Sequence, residues 1–438
     1  MEANTLFFFF SMIFIIAFFG NLFFKKTRFS DTSILLIIGF LISSVFNIIT
    51  ANQVAILKSM SSFFGALALI IIIFEGGLHL NFFKVIKDIG KATFFTIVVF
   101  VFTVIFSSVL LHYVFQIPIL YSLLIGSAVG GISSAVVIPL VMSSHSKEET
   151  KTLITLESAM TDALCIIVFI TIFEIIVSQK SSMQFITQNL FSAFAIATVI
   201  GAVAGIFWIK VLRDFNVTKQ FNYLLTLSFL FLIYILIEYA KGNGAFGVLI
   251  FGIVLGNSNE ILKMLKMKKL SIDNVVSLNE VYKFQGEISL FIKAFFFIYL
   301  GIILDLSSVN LNIILIVVGL IIISIIARYM SIYLFSGDKI IKKDRKYILS
   351  LHARGLAAAV LGTYPLAMGL KNQYTLIILP IVFLVILLTN ITTTLMFFFT
   401  ERQQMKILKG NNDDDSGKDS NDSITTKKIA SIEDITIK

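Results

Sequence analysis

Cysteine occurs once in this chain of 438 residues, proline four times, and only 14% of positions are charged. The lone Cys165 excludes a disulfide framework and a thiolate metal cluster, and its apolar neighbours make it a packing residue. A soluble domain is about a quarter charged, so a water-soluble fold is excluded too. No stretch before Glu401 is polar enough to form a soluble domain of its own. Basic residues outnumber acidic ones, 35 to 26. They fall in short segments between apolar runs, where membrane topology explains them and nucleic-acid binding does not. No zinc-type histidine motif, serine-histidine arrangement or pair of catalytic carboxylates stands out, so the reading is of a protein that is not an enzyme and needs no cofactor.

What the chain does have is apolar sequence: 57% of it, including 45 phenylalanines, with a mean hydropathy of +0.95. Thirteen runs are long enough to count as spans, given ~17 to 25 residues per crossing helix. They cover 5–24, 32–50, 63–80, 90–115, 118–142, 151–178, 185–209, 221–240, 244–257, 286–304, 311–335, 346–370 and 374–399. The ninth is short and carries Gly244, Gly247, Gly252 and Gly256. The first lacks the basic flank and cleavage site of a signal peptide and is kept as a span. Loops on one side of these spans hold twenty-one Lys and Arg, against four (Lys58, Lys180, Lys241 and Lys371) on the other. The positive-inside rule then puts the N-terminus outside and the C-terminus in the cytoplasm. Residues 401–438, low in aromatics and rich in acid around Asp413, Asp414 and Asp415, read as a disordered cytoplasmic tail.

Two spans share a pattern. The fifth contains GSAVGGISSAVVIP (Gly126 to Pro139) and the twelfth RGLAAAVLGTYP (Arg354 to Pro365), each with small residues, glycines and hydroxyls at mid-depth followed by a proline. Small residues also serve plain helix contact. As a matched pair seven spans apart, however, the two run in opposite directions, the mark of an inverted-repeat transporter with two broken helices crossing at the midplane.

Ionisable groups within spans are costly and therefore functional candidates. In the sixth span Asp162 lies eleven residues from Lys151, ~16 Å by helical rise, with Glu157 more than a turn nearer the cytoplasm and Ser158 and Thr161 beside them. A carboxylate at that depth can hold either a proton or a small cation. Arg354 should have a carboxylate partner, and Glu157 is assigned to it. Lys293 lies about two turns into the tenth span. Arg328, near the cytoplasmic end of the eleventh, is read as snorkelling to the interface. Glu75, in FEGGLHL, is either a helix-end charge or a partner of the site. Glu174, Glu238 and Asp305 lie at outer helix ends and read as interfacial.

The string ESAMTD (Glu157 to Asp162) resembles the signature of the monovalent cation:proton antiporter superfamily, the sodium/proton exchangers. FEGGL (Phe74 to Leu78), SSAVV (Ser133 to Val137), KAFFFIYLG (Lys293 to Gly301) and ARGLAAAVL (Ala353 to Leu361) occur in the family order. The resemblance implies an all-α polytopic membrane protein of thirteen helices. Within residues 1–400 it implies a dimerisation part and a mobile core that contains helices 5, 6, 12 and 13, and it implies a homodimer. Asp162 resembles the transport carboxylate, Glu157 and Arg354 the family's intramembrane ion pair, and Lys293 its basic core residue. Thr161 stands where electroneutral members have Asn and electrogenic ones Asp, whereas a lysine at 293 is more usual in the electrogenic group. The expectation is an electroneutral antiporter of the cell membrane that exchanges sodium or lithium for a proton. The cation would sit at Asp162 with oxygens from Thr161, Ser158 and the unwound backbone at Gly131, Ser133 and Ser134. Potassium/proton exchange and, less favoured, a cation channel are the alternatives.

Overall fold

The computed structural model describes residues 31–45, 61–79, 91–178, 183–214, 219–264, 276–304, 309–335 and 344–415, with five isolated positions besides. Among these residues there is no strand. In chain order the helices are α1 (Asp31–Phe40, followed by a π turn, Leu41–Val45), α2 (Ser61–His79), α3 (Lys91–Tyr113), α4 (Ile119–Ala128) and α5 (Ser134–Met142). Next come α6 (Glu148–Ser178), α7 (Met183–Asp214), α8 (Lys219–Tyr239), α9 (Gly244–Gly256) and α10 (Ser258–Met264). The chain continues with α11 (Val276–Ile303), α12 (Leu311–Leu334), α13 (Arg345–Ser350), α14 (Leu356–Ala367) and α15 (Gln373–Asp415). Six of them have segments long and apolar enough to cross a membrane, and shorter apolar helices pack between them. Twelve of the thirteen apolar runs coincide with one helix or a broken pair. The first, 5–24, lies outside the described residues except at Ser11, Ile15 and Phe18, so the count of thirteen rests on the sequence.

Apolar residues face outward as well as inward, as a lipid-facing protein requires: Phe191, Tyr239 and Leu311 are among the most exposed. With lipid outside, apolar burial gives little net drive and close approach of helices supplies the cohesion. The short run 244–257 shows this. Its glycines let α9 lie directly against α2, where a Cβ on Gly252 would come within 2.7 Å of Phe74 O, and against α7, where Gly247 O would be 2.5 Å from a Cβ on Gly201. Glu238, expected at the interface, accepts a hydrogen bond from Gly244 N at 2.8 Å and so helps close the N-terminus of α9. Asn243 caps the same helix, accepting from Phe246 N, and donates to Glu174. Asp305 lies outside the described residues.

The fifth and twelfth spans are both broken, α4 from α5 at residues 129–133 and α13 from α14 at residues 351–355. The prolines do not make the breaks. Pro139 and Pro365 lie inside α5 and α14, past the interruption. At the other end of the molecule the boundary drawn at residue 401 does not coincide with a break. Helix α15 runs through it to Asp415, and Glu401 is 4% exposed, accepting a 2.5 Å hydrogen bond from Tyr347 and contacting His145. Residues 416–438 of the expected tail lie outside the described residues.

Candidate functional site

Breaking a helix frees main-chain N–H and C=O groups that lipid cannot satisfy, so each break must find partners. In the first, Ile132 N donates to Thr161 Oγ1 (3.1 Å) and Ser133 N donates to Ala353 O in the second break (2.8 Å). The two interruptions therefore meet directly. Their contact needs glycine at 355, where a Cβ would come within 2.0 Å of Ser133 Oγ. Gly131 of the first break lies as tightly against α6, where a Cβ would be 2.8 Å from Cys165 Sγ. The lone cysteine thus packs against the break, as its apolar setting implied.

Asp162 stands at the start of α5. Ser134 Oγ donates to its Oδ2 at 2.9 Å, and the Ser134 main chain bonds to the same carboxylate. A half-helix N-terminus carries partial positive charge, so the acid is held by a dipole and a hydroxyl. The side chain is half-buried, which leaves it an approach. Thr161 and Ser158 adjoin it in sequence, but their hydroxyls are engaged elsewhere. Thr161 supports Ile132 and donates to Ser158 O, and Ser158 donates to Thr155 O. Ser134, expected to contribute backbone, contributes its side chain as well.

The ion pair is the main correction. Glu157 does not pair with Arg354; it is held by Arg328, with Nη1 to Oε1 at 2.5 Å and Nη2 to Oε2 at 2.9 Å. Arg328 does not snorkel. It is 1% exposed, Glu157 is fully buried, and the Arg328 Nε donates to Ile348 O in the last turn of α13. A bidentate fork with the Nε–H on a carbonyl at a helix C-terminus is the geometry that makes a buried pair tolerable. Arg354 instead donates from Nη1 to Gly131 O at 2.5 Å, while its Nε is buried without a partner among the described residues. Each arginine thus answers the carbonyl end of one half-helix, Arg328 that of α13 and Arg354 that of the break after α4.

A signal for the Glu157–Arg328 pair was present in the chain. Glu157 is six residues from Lys151 and Arg328 seven from Phe335, depths of ~9 and ~10 Å by helical rise. Glu75, left open between two readings, bonds through its side chain to that of Ser289 and lies near enough for its charge to act on Asp162 and for that of Lys293 to act on it.

The transmembrane family of sodium/hydrogen exchangers matches residues 13–400. Among curated relatives, a probable Na(+)/H(+) antiporter 2 of Methanocaldococcus jannaschii is 27% identical over 285 residues, which is 63% of this chain and 64% of its own. Sodium/hydrogen exchanger 8 of Arabidopsis thaliana is 30% identical over 135 residues, 30% of this chain and 18% of its own. The chain thus spans less than two thirds of the length of either relative. A solved structure of the sodium proton antiporter MjNhaP1 from M. jannaschii at pH 8 superposes with a TM-score of 0.72 at 18% identity, over 91% of this chain and 99% of that one. An electron-microscopy structure of MjNhaP1 gives 0.67 at 19% identity. At such identity the superpositions speak for the fold alone. With the family matched over most of the chain, this multi-pass membrane protein belongs to the sodium/hydrogen exchangers.

Proposed function

We propose that the protein is a secondary antiporter that exchanges sodium or lithium for a proton at Asp162. The observation that carries this reading is the half-buried Asp162 carboxylate at the N-terminus of α5, hydrogen-bonded by Ser134 and held by neither buried arginine. Such a carboxylate accepts one small hard cation or one proton, and because both use the same oxygens each excludes the other. The Asp162 oxygens and Ser134 Oγ are the first ligands, with water completing the set, since the Gly131 and Ser133 carbonyls already accept from Arg354 Nη1 and from the first amides of α5. Ser158 and Thr161 act behind them by shaping the break.

Exchange is electroneutral in this reading. Position 161 holds Thr, which supplies no second acid, and Glu75 lies close enough to feel the charge of Lys293. Alternating access follows from a core of helices 5, 6, 12 and 13 moving against a dimerisation part in a homodimer, with the N-terminus outside and the C-terminus in the cytoplasm of the cell membrane. Family membership supports the exchange of a monovalent cation for a proton.

The test is proton flux in proteoliposomes driven in turn by sodium, lithium, potassium and choline gradients. Sodium and lithium should drive saturable flux, choline none, and Asp162→Asn should abolish it while the protein stays monodisperse. Flux driven by potassium alone would change the assigned ion. Non-saturating cation flux without proton counter-movement would make the protein a channel, and sodium-driven exchange by Asp162→Asn would remove Asp162 from its role.

A further inference from the structure

The run TNITTT, Thr389 to Asn390 and on to Thr394, puts four β-branched threonines in the middle of α15, where helix propensity alone would not choose them. Thr389 and Thr393 are both fully buried. Being four residues apart they share one face of the helix, and that face meets the second break. Thr389 Oγ1 accepts from Arg354 N at 3.0 Å, and Thr393 Oγ1 accepts from His352 N at 3.3 Å. Thr392 Oγ1 lies 2.9 Å from His352 Nε2.

The spacings match. Four residues of helix rise ~6 Å and two residues of extended chain cover ~6.6 Å, so an i, i+4 threonine pair serves residues 352 and 354 as a neighbouring strand edge would. The intervening residue points the other way, as extended backbone alternates, and its carbonyl, Ala353 O, takes the Ser133 N–H of the first break. Thr389 donates its own proton to Val385 O at 2.7 Å, which fixes its oxygen as the acceptor for Arg354 N.

We propose that Thr389 and Thr393 are positioning residues of the exchange. Their hydroxyl oxygens hold residues 352–354 extended in the one register from which Ala353 meets Ser133 and the Arg354 guanidinium meets Gly131 O. Through Ser133 they set the start of α5, and with it the Ser134 hydroxyl on Asp162. This rests on the antiport reading above, and the test separates the two.

Full-length protein in proteoliposomes is assayed for sodium-driven proton flux across sodium concentration and pH. Thr389→Val keeps shape but leaves a buried N–H unpaired, a loss that should raise the half-saturating sodium concentration on the order of tenfold and displace the pH profile. Thr389→Ser restores the oxygen and should return both readouts to within about twofold of the wild type. Thr393→Val should shift them the same way by less, its bond being longer. Thr394→Val, whose hydroxyl bonds among the described residues only to Asn390 O of its own helix, should leave them unchanged. Wild-type half-saturation and pH profile in Thr389→Val would overturn the inference, as would a Thr389→Ser variant as impaired as Thr389→Val. If Thr389→Val does not fold, Thr393→Val decides on the same readouts, wild-type values again overturning the inference. Absence of exchange in the wild type would instead sink the antiport reading.

Discussion

Glu157 and Arg328 meet because two helices bring equal depths together, and their bidentate contact is closed further by the Arg328 Nε on Ile348 O. Removing one partner strands the other charge out of water, which costs ~3 to 5 kcal/mol in comparable buried pairs. Glu157→Gln and Arg328→Gln should each destabilise on that scale, and the double variant should recover a coupling energy of ~0.5 to 3 kcal/mol. Arg354→Gln should couple to Glu157→Gln more weakly, since the Arg354 guanidinium is bonded to Gly131 O. Thermal unfolding of the five variants in detergent checks this, and stronger coupling of Glu157 to Arg354 than to Arg328 would reject the pairing. Asp162 is treated differently, held by a hydroxyl and a helix end and left half-buried. Glu157 is locked in an ion pair, whereas Asp162 faces a helix N-terminus without one, which is why the proposed exchange is assigned to it.

Among the helices, the broken pair α4/α5 and α13/α14 concentrates the chemistry. Each break leaves a carbonyl end and an N-terminal end in a dry setting, and the structure answers the carbonyl ends with arginines and the amide groups with Thr161, Thr389 and Thr393. The crossing is tight enough that Gly355 has no room for a methyl group, the nearest obstacles being Ser133 Oγ at 2.0 Å and Ser133 Cβ at 2.4 Å. Gly355→Ala should therefore push the breaks apart, with an overpacking cost of ~1 to 3 kcal/mol and loss of flux. Because both obstacles belong to one side chain, Ser133→Gly in the same molecule should restore much of the stability. A double variant no more stable than Gly355→Ala would show that the glycine is needed for a different reason. The glycines of α9 do similar work at one remove, letting that helix lie against α2. Helix α2 is also the element that carries Glu75.

For the whole molecule the decisive quantity is charge moved per cycle. In the proposed exchange, with Asp162 as the one titrating carboxylate and Glu157 tied to Arg328, one cation in against one proton out moves no net charge. Sodium-driven proton flux in proteoliposomes should then run at the same rate whether or not valinomycin and potassium clamp the membrane potential. Acceleration under the clamp would mean that a second proton travels with each cycle and that Lys293 gives one up.

The apolar runs and the two breaks were legible in the chain, because crossing lipid takes a helix of a minimum length and because backbone is interrupted there only where protein or a cavity surrounds it. The short ninth run was legible as a helix for the same reason, though not its glycine contacts. Partnership was not. Depth is one coordinate, and several groups share it: Glu157 had two arginines within reach, and the rotation of each helix chose Arg328. The threonines of α15 carried no sign of their role, since β-branched residues within an apolar span read as lipid-compatible filler until the extended break is laid beside them. The reach of α15 past residue 401 was likewise decided by contact, as Tyr347 and His145 give Glu401 partners that composition could not disclose. Chemistry along the chain was thus determined by the sequence, and the pairing of that chemistry across helices by tertiary structure alone, because pairing depends on helix rotation, which no one-dimensional pattern records.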